Sequence, residues 1–300
     1  MTMRVGVIGL GIMGSAIAAN LIKNGFSVIG FDVDADKCAA MRERGAEIAA
    51  SPADVAGKAD AVFTLLPSVA ALETVVVGAD GLAQSGKKGL VVCECSTLPI
   101  ADKERARDTL DKAAIVLMDC PLSGTGAQAR TGDLSVYVSG EKKGYEACKD
   151  VFPGFSRSNY YLGEFGNGSR MKFVANLLVA IHNVSTAEAF VLGMKSGLDP
   201  DMIYKVIKDG AGNSRMFEVR GPMMVEGDYS EATMSINMWQ KDMKIIMEFA
   251  AALGSPAPLL SACAPIYHAA LSQGRGTEDT ASVCAVLEEM ARLKRPAPKE

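Results

Sequence analysis

The chain has 300 residues, and at roughly 100–200 residues per domain that length predicts about two domains. With 49% hydrophobic and 22% charged residues, 30 Gly and 12 Pro, it has a globular composition, which excludes a disordered, collagenous or disulfide-dense chain. The 31 basic and 35 acidic residues leave a formal charge of −4, with neither the basic surplus of a nucleic-acid binder nor an acidic tail.

Taken in order, residues 4–8 (Arg-Val-Gly-Val-Ile) predict a strand and residues 13–24 a helix, with Ala16, Ala19 and Asn20 on one face. A second strand is expected over 27–32. A helix follows over 36–44, capped by Asp34 and closed by Gly45. Further strands are expected at 61–66 (stopped by Pro67), 90–95 and 114–118, with a sixth at 135–139. These runs are continuously apolar, as strands covered on both faces are, and their alternation with helices predicts a parallel, doubly wound sheet. After about residue 162 strand signals nearly vanish. Gly166-Asn167-Gly168 opens a long helical stretch to about Lys195, ended by Gly197 and Pro200. Helices are then expected over 200–208, 236–253, 258–272 and 280–293, and the tail from residue 295 is expected to be loose. The predicted fold is therefore α/β. An N-terminal doubly wound domain (1–162) is joined by a long helix to an all-helical domain (163–300).

The apolar stretch from Val5 to Ile22 carries Gly6, Gly9, Gly11 and Gly14, a spacing that a signal segment does not need. No clean apolar run of 18 residues stands out elsewhere, so no membrane span is expected. Seven cysteines, at 38, 93, 95, 120, 148, 263 and 284, form no CxxC pair and read as buried thiols of a reduced, cytoplasmic protein. The two histidines, His182 and His268, have no metal-ligand spacing, so no metal site is expected.

Gly9-Leu10-Gly11-Ile12-Met13-Gly14 lies directly after a strand and directly before a helix. In that setting the first glycine makes the turn, the second admits a pyrophosphate, and the third lets helix and strand pack closely. The helix N-terminus then faces the phosphates with free N–H groups. Asp32, at the end of the second strand, can accept from a ribose diol and would repel a 2′-phosphate. No Arg or Lys stands at 33–36, so NAD is expected in preference to NADP.

The same opening segment, followed by Ala18-Ala19-Asn20-Leu21, closely resembles the signature of the β-hydroxyacid dehydrogenases. Members of that family act on 3-hydroxyisobutyrate, L-threonate or tartronate semialdehyde. Three further motifs resemble the family in the same order: Asp119-Cys120-Pro121-Leu122-Ser123-Gly124-Thr125-Gly126, then Gly166 to Lys172 with Asn176, then Lys241-Asp242. The resemblance implies a Rossmann domain, a long connecting helix and an all-helical domain. It implies that Leu66 and Pro67 line the cofactor together with Gly9, Leu10, Gly11, Ile12, Met13, Gly14 and Asp32, that Thr97 sits by the nicotinamide, and that Lys241 reaches cofactor or substrate. It further implies that Ser123, Gly124 and Thr125 hold the substrate carboxylate, and that Lys172 is catalytic with Asn176 assisting. Thr125 departs from the family's glycine and would add a hydroxyl that a polar substrate could use. A homodimer or homotetramer is also implied, in line with the Met-rich helical half.

Lys172 and Asn176 are spaced i, i+4 and so share a helix face. An ordinary lysine, with a pKa of about 10.4, is charged at neutral pH and suited to protonating a carbonyl; burial would help it act as a base. The expected reaction is hydride transfer between NAD and a small hydroxy acid such as 3-hydroxyisobutyrate or a sugar acid. Residues 211–218 and 274–279 resemble the L-threonate dehydrogenase branch of the family, in which Asn213 and Ser214 would add polar donors for a polyhydroxy acid. Reduction of tartronate semialdehyde or another short aldehyde acid is the alternative, ahead of an imine reductase or a non-catalytic dinucleotide-binding module.

Overall fold

The computed structural model of the protein describes residues 3–295; residues 296–300, the end of the tail expected to be loose, lie outside the described residues. The chain divides into two compact units, Met1–Lys172 and Phe173–Glu300.

The first unit opens with β1 (Arg4–Ile8), α1 (Ile12–Lys23), β2 (Ser27–Phe31), α2 (Ala35–Glu43), β3 (Glu47–Ile48) and α3 (Pro52–Lys58). It continues with β4 (Ala61–Thr64), α4 (Val69–Val77), β5 (Val91–Glu94), α5 (Ile100–Lys112) and β6 (Val116–Asp119). These six strands form one parallel sheet in the order β3-β2-β1-β4-β5-β6. Alternate residues serve two cores. Val5, Val7, Phe63, Cys93 and Met118 pack on one face, and Ile8, Val62, Val92 and Leu117 on the other. Burial on both faces explains the continuous apolar runs.

The strand expected at 135–139 does not belong to this sheet. After β7 (Leu122–Ser123) and α6 (Gly126–Thr131), β8 (Ser135–Val138) pairs antiparallel with β7. Beyond α7 (Lys142–Cys148), β9 (Ser158–Tyr161) adds to β8 in parallel. The residues of β8 alternate, with Val136 and Val138 buried and Ser135 and Tyr137 half-buried, which is the pattern of a sheet covered mainly on one side. The sixth place in the main sheet goes to β3, whose two residues are too few to show a period.

Helix α8 (Asn167–Lys195) starts in the first unit and runs into the second. It is long and apolar enough to cross a membrane by length and composition, although its sequence offers no clean apolar run. Asn176, Asn183 and Thr186 on it are buried, and Asn183 Nδ2 donates to Tyr267 Oη at 3.2 Å. Paired polar groups of this kind mark a core helix.

The second unit continues with α9 (Pro200–Lys208), α10 (Arg215–Glu226), α11 (Ile236–Ala252), α12 (Pro258–Ser272) and α13 (Val283–Met290). Among its described residues there is no strand beyond an isolated bridge between Ser235 and Asp279. Buried Arg220 donates through Nε to Asp279 Oδ1 at 2.9 Å, and the other carboxylate oxygen accepts from Thr233 and Met234 N–H. Burial pushes the Asp279 carboxyl up. The guanidinium and the N–H donors outweigh that and hold it below the usual range. Arg295, at the start of the tail expected to be loose, is anchored on Glu288 at 2.6 Å and on the Met224 and Val225 carbonyls.

Candidate active site

Gly9 follows β1 with φ +92°, and a Cβ there would lie 2.2 Å from the Leu65 carbonyl oxygen. A Cβ on Gly14 would lie 1.8 Å from the Gly9 carbonyl oxygen. Both glycines are therefore demanded by the fold itself. Gly11 differs, because a Cβ there would meet nothing within 4 Å. Its bare backbone fits a ligand lying against the turn. Gly11 also begins α1 with no side-chain cap and no acidic residue in the first turn, so the first N–H groups of the helix are left uncapped by side chains. Asp32 anchors the turn: its Oδ2 accepts Leu10 N–H at 2.6 Å and its Oδ1 accepts Asp34 N–H at 2.9 Å. Each carboxylate oxygen can take a second donor. Lys37, just beyond, is paired with Asp34 at 3.2 Å.

The sheet register places Ile8, Thr64, Glu94 and Asp119 side by side at the carboxyl ends of β1, β4, β5 and β6. Chain progression reverses between β1 and β4, and such a switch point is where open α/β sheets bind ligands. The glycine turn, Leu66, Pro67 and Thr97 thus gather at one edge. Leu66 is buried and Pro67 exposed, while Thr97 and Ser123 are half-buried.

In the loop after β7, Gly124 has φ +141°. Thr125 is the N-cap of α6 in a capping box: Gln128 N–H donates to its Oγ1 at 3.4 Å, and its own N–H donates to Gln128 Oε1 at 3.0 Å. The hydroxyl expected to meet a polar substrate is engaged in capping a helix.

A group of buried charges lies beneath this edge. Lys103 Nζ, fully buried, donates to the Ser96 carbonyl at 2.6 Å and to Asp119 Oδ1 at 2.8 Å. It meets Glu94 Oε2 at 2.6 Å as an ion pair without hydrogen-bond alignment. Burial works against this charge, but the two carboxylates outweigh it and hold the ammonium above the ordinary lysine range. Glu94 Oε1 accepts Ser96 N–H at 2.9 Å, and Ser96 Oγ accepts Leu66 N–H at 2.7 Å. Asp119 in turn accepts Ser169 N–H at 2.7 Å and Ser169 Oγ–H at 2.8 Å. Gly168 N–H donates to Ser139 Oγ at 2.8 Å. A Cβ on Gly168 would lie 2.4 Å from the Tyr137 carbonyl oxygen, so the first turn of α8 lies directly on this backbone. Lys172 is half-buried, three residues beyond Ser169 on the same helix.

Within the second unit, buried Asn176 donates through Nδ2 to Asp242 Oδ2 at 3.0 Å, and Lys241 Nζ lies 3.3 Å from Asp242 Oδ1. These motif residues come together, and Asp242 sets the orientation of the Asn176 amide. Asn213 and Ser214 have other partners: Asn213 Nδ2 donates to Glu218 at 2.8 Å, and Ser214 Oγ caps α10 by accepting Phe217 N–H. All seven cysteines are buried and unpaired. Among the described residues, no three His, Cys, Asp or Glu side chains are grouped to hold a metal ion. Lys103 and Glu94 escaped the sequence analysis. Their signal is a lysine at position 103 on the same helical stripe as Ala106 and Leu110, the inward face of α5.

A family model described as the NAD binding domain of 6-phosphogluconate dehydrogenase matches residues 4–163. A second, described as NAD-binding of NADP-dependent 3-hydroxyisobutyrate dehydrogenase, matches residues 166–287. The L-threonate dehydrogenase of Cupriavidus necator is 33% identical over 287 residues, which cover 95% of this chain and 96% of that one. The mitochondrial 3-hydroxyisobutyrate dehydrogenase of Rattus norvegicus is 35% identical over 292 residues, covering 95% and 87% respectively. The crystal structure of 3-hydroxyisobutyrate dehydrogenase from Salmonella typhimurium superposes with a TM-score of 0.86 at 32% identity, covering 95% of this chain and 99% of that one. On its motifs, its sheet order and these matches, the chain belongs to the β-hydroxyacid dehydrogenase family and is a pyridine-nucleotide-dependent oxidoreductase.

Proposed function

We propose that the protein oxidises a small hydroxy acid, of the 3-hydroxyisobutyrate or threonate kind, with NAD. Residues 1–162 hold the nucleotide, and residues 163–300 supply substrate-side and oligomerisation surfaces. The observation that carries the reading is the docking of the first turn of α8 on Asp119 and Ser139, which fixes the start of the Lys172 helix at the carboxyl edge of the sheet. When bound, the nicotinamide ring supplies the hydride acceptor. Gly9, Leu10, Gly11, Ile12, Met13 and Gly14 carry the phosphates, Asp32 reads the ribose diol, Leu66, Pro67 and Thr97 border the ring, and Lys241 is assigned to cofactor or substrate. Ser123 and Gly124 hold the substrate carboxylate on a loop that Thr125 shapes through its cap. Lys172 Nζ takes the hydroxyl proton in oxidation and returns it to the carbonyl oxygen in reduction. Asn176, held by Asp242, orients the same oxygen.

Asp32 favours NAD because its carboxylate would repel a 2′-phosphate, and nearby Lys37 is engaged by Asp34. Met171, Val174 and Leu178 form an exposed apolar stripe on α8 and support a homodimer or homotetramer, which light scattering would measure. We read the protein as cytoplasmic, with no membrane or nucleic-acid partner and no metal. The test is a panel of C3–C5 hydroxy acids with NAD and NADP, followed at 340 nm. NADH formation with at least one acid is expected. A cofactor that binds tightly but turns over with no acid, aldehyde acid or cyclic imine would identify a non-catalytic nucleotide-binding protein.

A further inference from the structure

We propose that Lys103 is a positioning residue whose buried ammonium locks four separate segments into one frame that aims Lys172. The inference rests on the role of Lys172 proposed above. The ammonium makes two hydrogen bonds, to the Ser96 carbonyl and Asp119, and an ion pair with Glu94. Each acceptor leads to a segment of the candidate site. Ser96 immediately precedes Thr97, and through its Oγ it holds the Leu66 N–H. Asp119 ends β6, four residues before Ser123, and accepts twice from Ser169 at the head of α8. One side chain thus ties the loops after β4, β5 and β6 to the first turn of the helix that carries Lys172.

Stability alone is a poor reason for this arrangement. Buried ion clusters are commonly matched or bettered by apolar packing of the same volume. What the cluster supplies is direction, because three fixed oxygens around one nitrogen define a geometry that apolar contacts leave free to slide. The two contacts from Ser169 transmit that geometry to α8, and Gly168 admits the close approach they need.

The test uses the full-length protein with Ser169→Ala, which loses the hydroxyl contact without stranding a charge, and with Lys103→Met. Three quantities are read on folded protein: kcat, the dissociation constant for NADH by fluorescence, and deuterium uptake over residues 94–103 and 166–176. A misplacement of ~1 Å costs roughly 100-fold in rate. On that scale kcat falls about 10-fold in Ser169→Ala and about 100-fold in Lys103→Met. NADH affinity falls by much less than kcat does, because the glycine turn that carries the phosphates does not touch the cluster, although Leu66 and Thr97 lie on loops that it holds. Uptake rises in both segments together. Wild-type kcat in the folded variants, or uptake rising in one segment alone, overturns the proposal. If Lys103→Met does not fold, Ser169→Ala decides on the same readouts. If the wild-type protein oxidises no hydroxy acid, the function proposed above fails, and joint or separate uptake alone decides the role of Lys103.

Discussion

At the scale of single residues, Asp32 does two things at once: it holds the Leu10 N–H of the glycine turn and leaves acceptor capacity for a ribose diol. Hydrogen bonds to a charged group contribute about 1.5–3 kcal/mol, so Asp32→Ser is expected to lower the NAD-to-NADP ratio of kcat/KM by roughly 10- to 100-fold. Unchanged selectivity would remove Asp32 as the ribose reader. Thr125 illustrates a residue whose chemistry was visible and whose engagement was not. The spacing of Thr125 and Gln128 is that of a capping box, but the helix it opens has only six residues and shows no apolar period. Because its hydroxyl serves the cap, Thr125→Ala should cost about 0.5–2 kcal/mol of stability and leave the substrate KM within about threefold. A large rise in KM with unchanged stability would return the hydroxyl to the substrate.

Among the elements, those that announced themselves carry strong periods or punctuation. The order strand, glycine turn, helix and acidic strand end was readable because each glycine answers a steric demand at a definite place. Helix α12 follows its sequence pattern from Pro258 to Ser272. Helix α10 was hidden by Gly221-Pro222 inside it, although Gly221 is needed there because a Cβ would press on the Tyr204 ring at 2.7 Å. Helix α5 was hidden by its charged outer face, and with it went Lys103, which a burial pattern alone would have assigned an apolar side chain. The junction at α8 makes a direct prediction. Gly168→Ala must push the helix from the Tyr137 and Asp119 carbonyls, at 2.4 and 2.7 Å from the new Cβ. At roughly 100-fold in rate per ~1 Å, kcat should fall by about that factor while NADH still binds. Steady-state kinetics beside a fluorescence titration would show whether the two separate.

For the whole molecule, the Arg220–Asp279 pair is buried in the helical unit, and removing one partner strands the other's charge. Arg220→Met should therefore cost about 3–5 kcal/mol in denaturant unfolding. The native Asp279 carboxyl is held below the ordinary aspartate value of about 3.9. Its contribution is therefore complete above about pH 4 and is lost as pH falls through the lower native value. Melting temperature should drop below about pH 4 in the wild-type protein, and more gently in Asp279→Asn. A parallel decline in both would place the acid sensitivity elsewhere. The central claim is that this chain transfers hydride between a hydroxy acid and NAD with Lys172 moving the proton. It is tested most directly by comparing wild type and Lys172→Ala on the best acid of the panel, with NADH affinity measured alongside. General acid–base assistance is worth typically 10²–10⁴-fold, so kcat should fall by about that factor with NADH binding unchanged. Equal turnover by the two proteins would contradict the account.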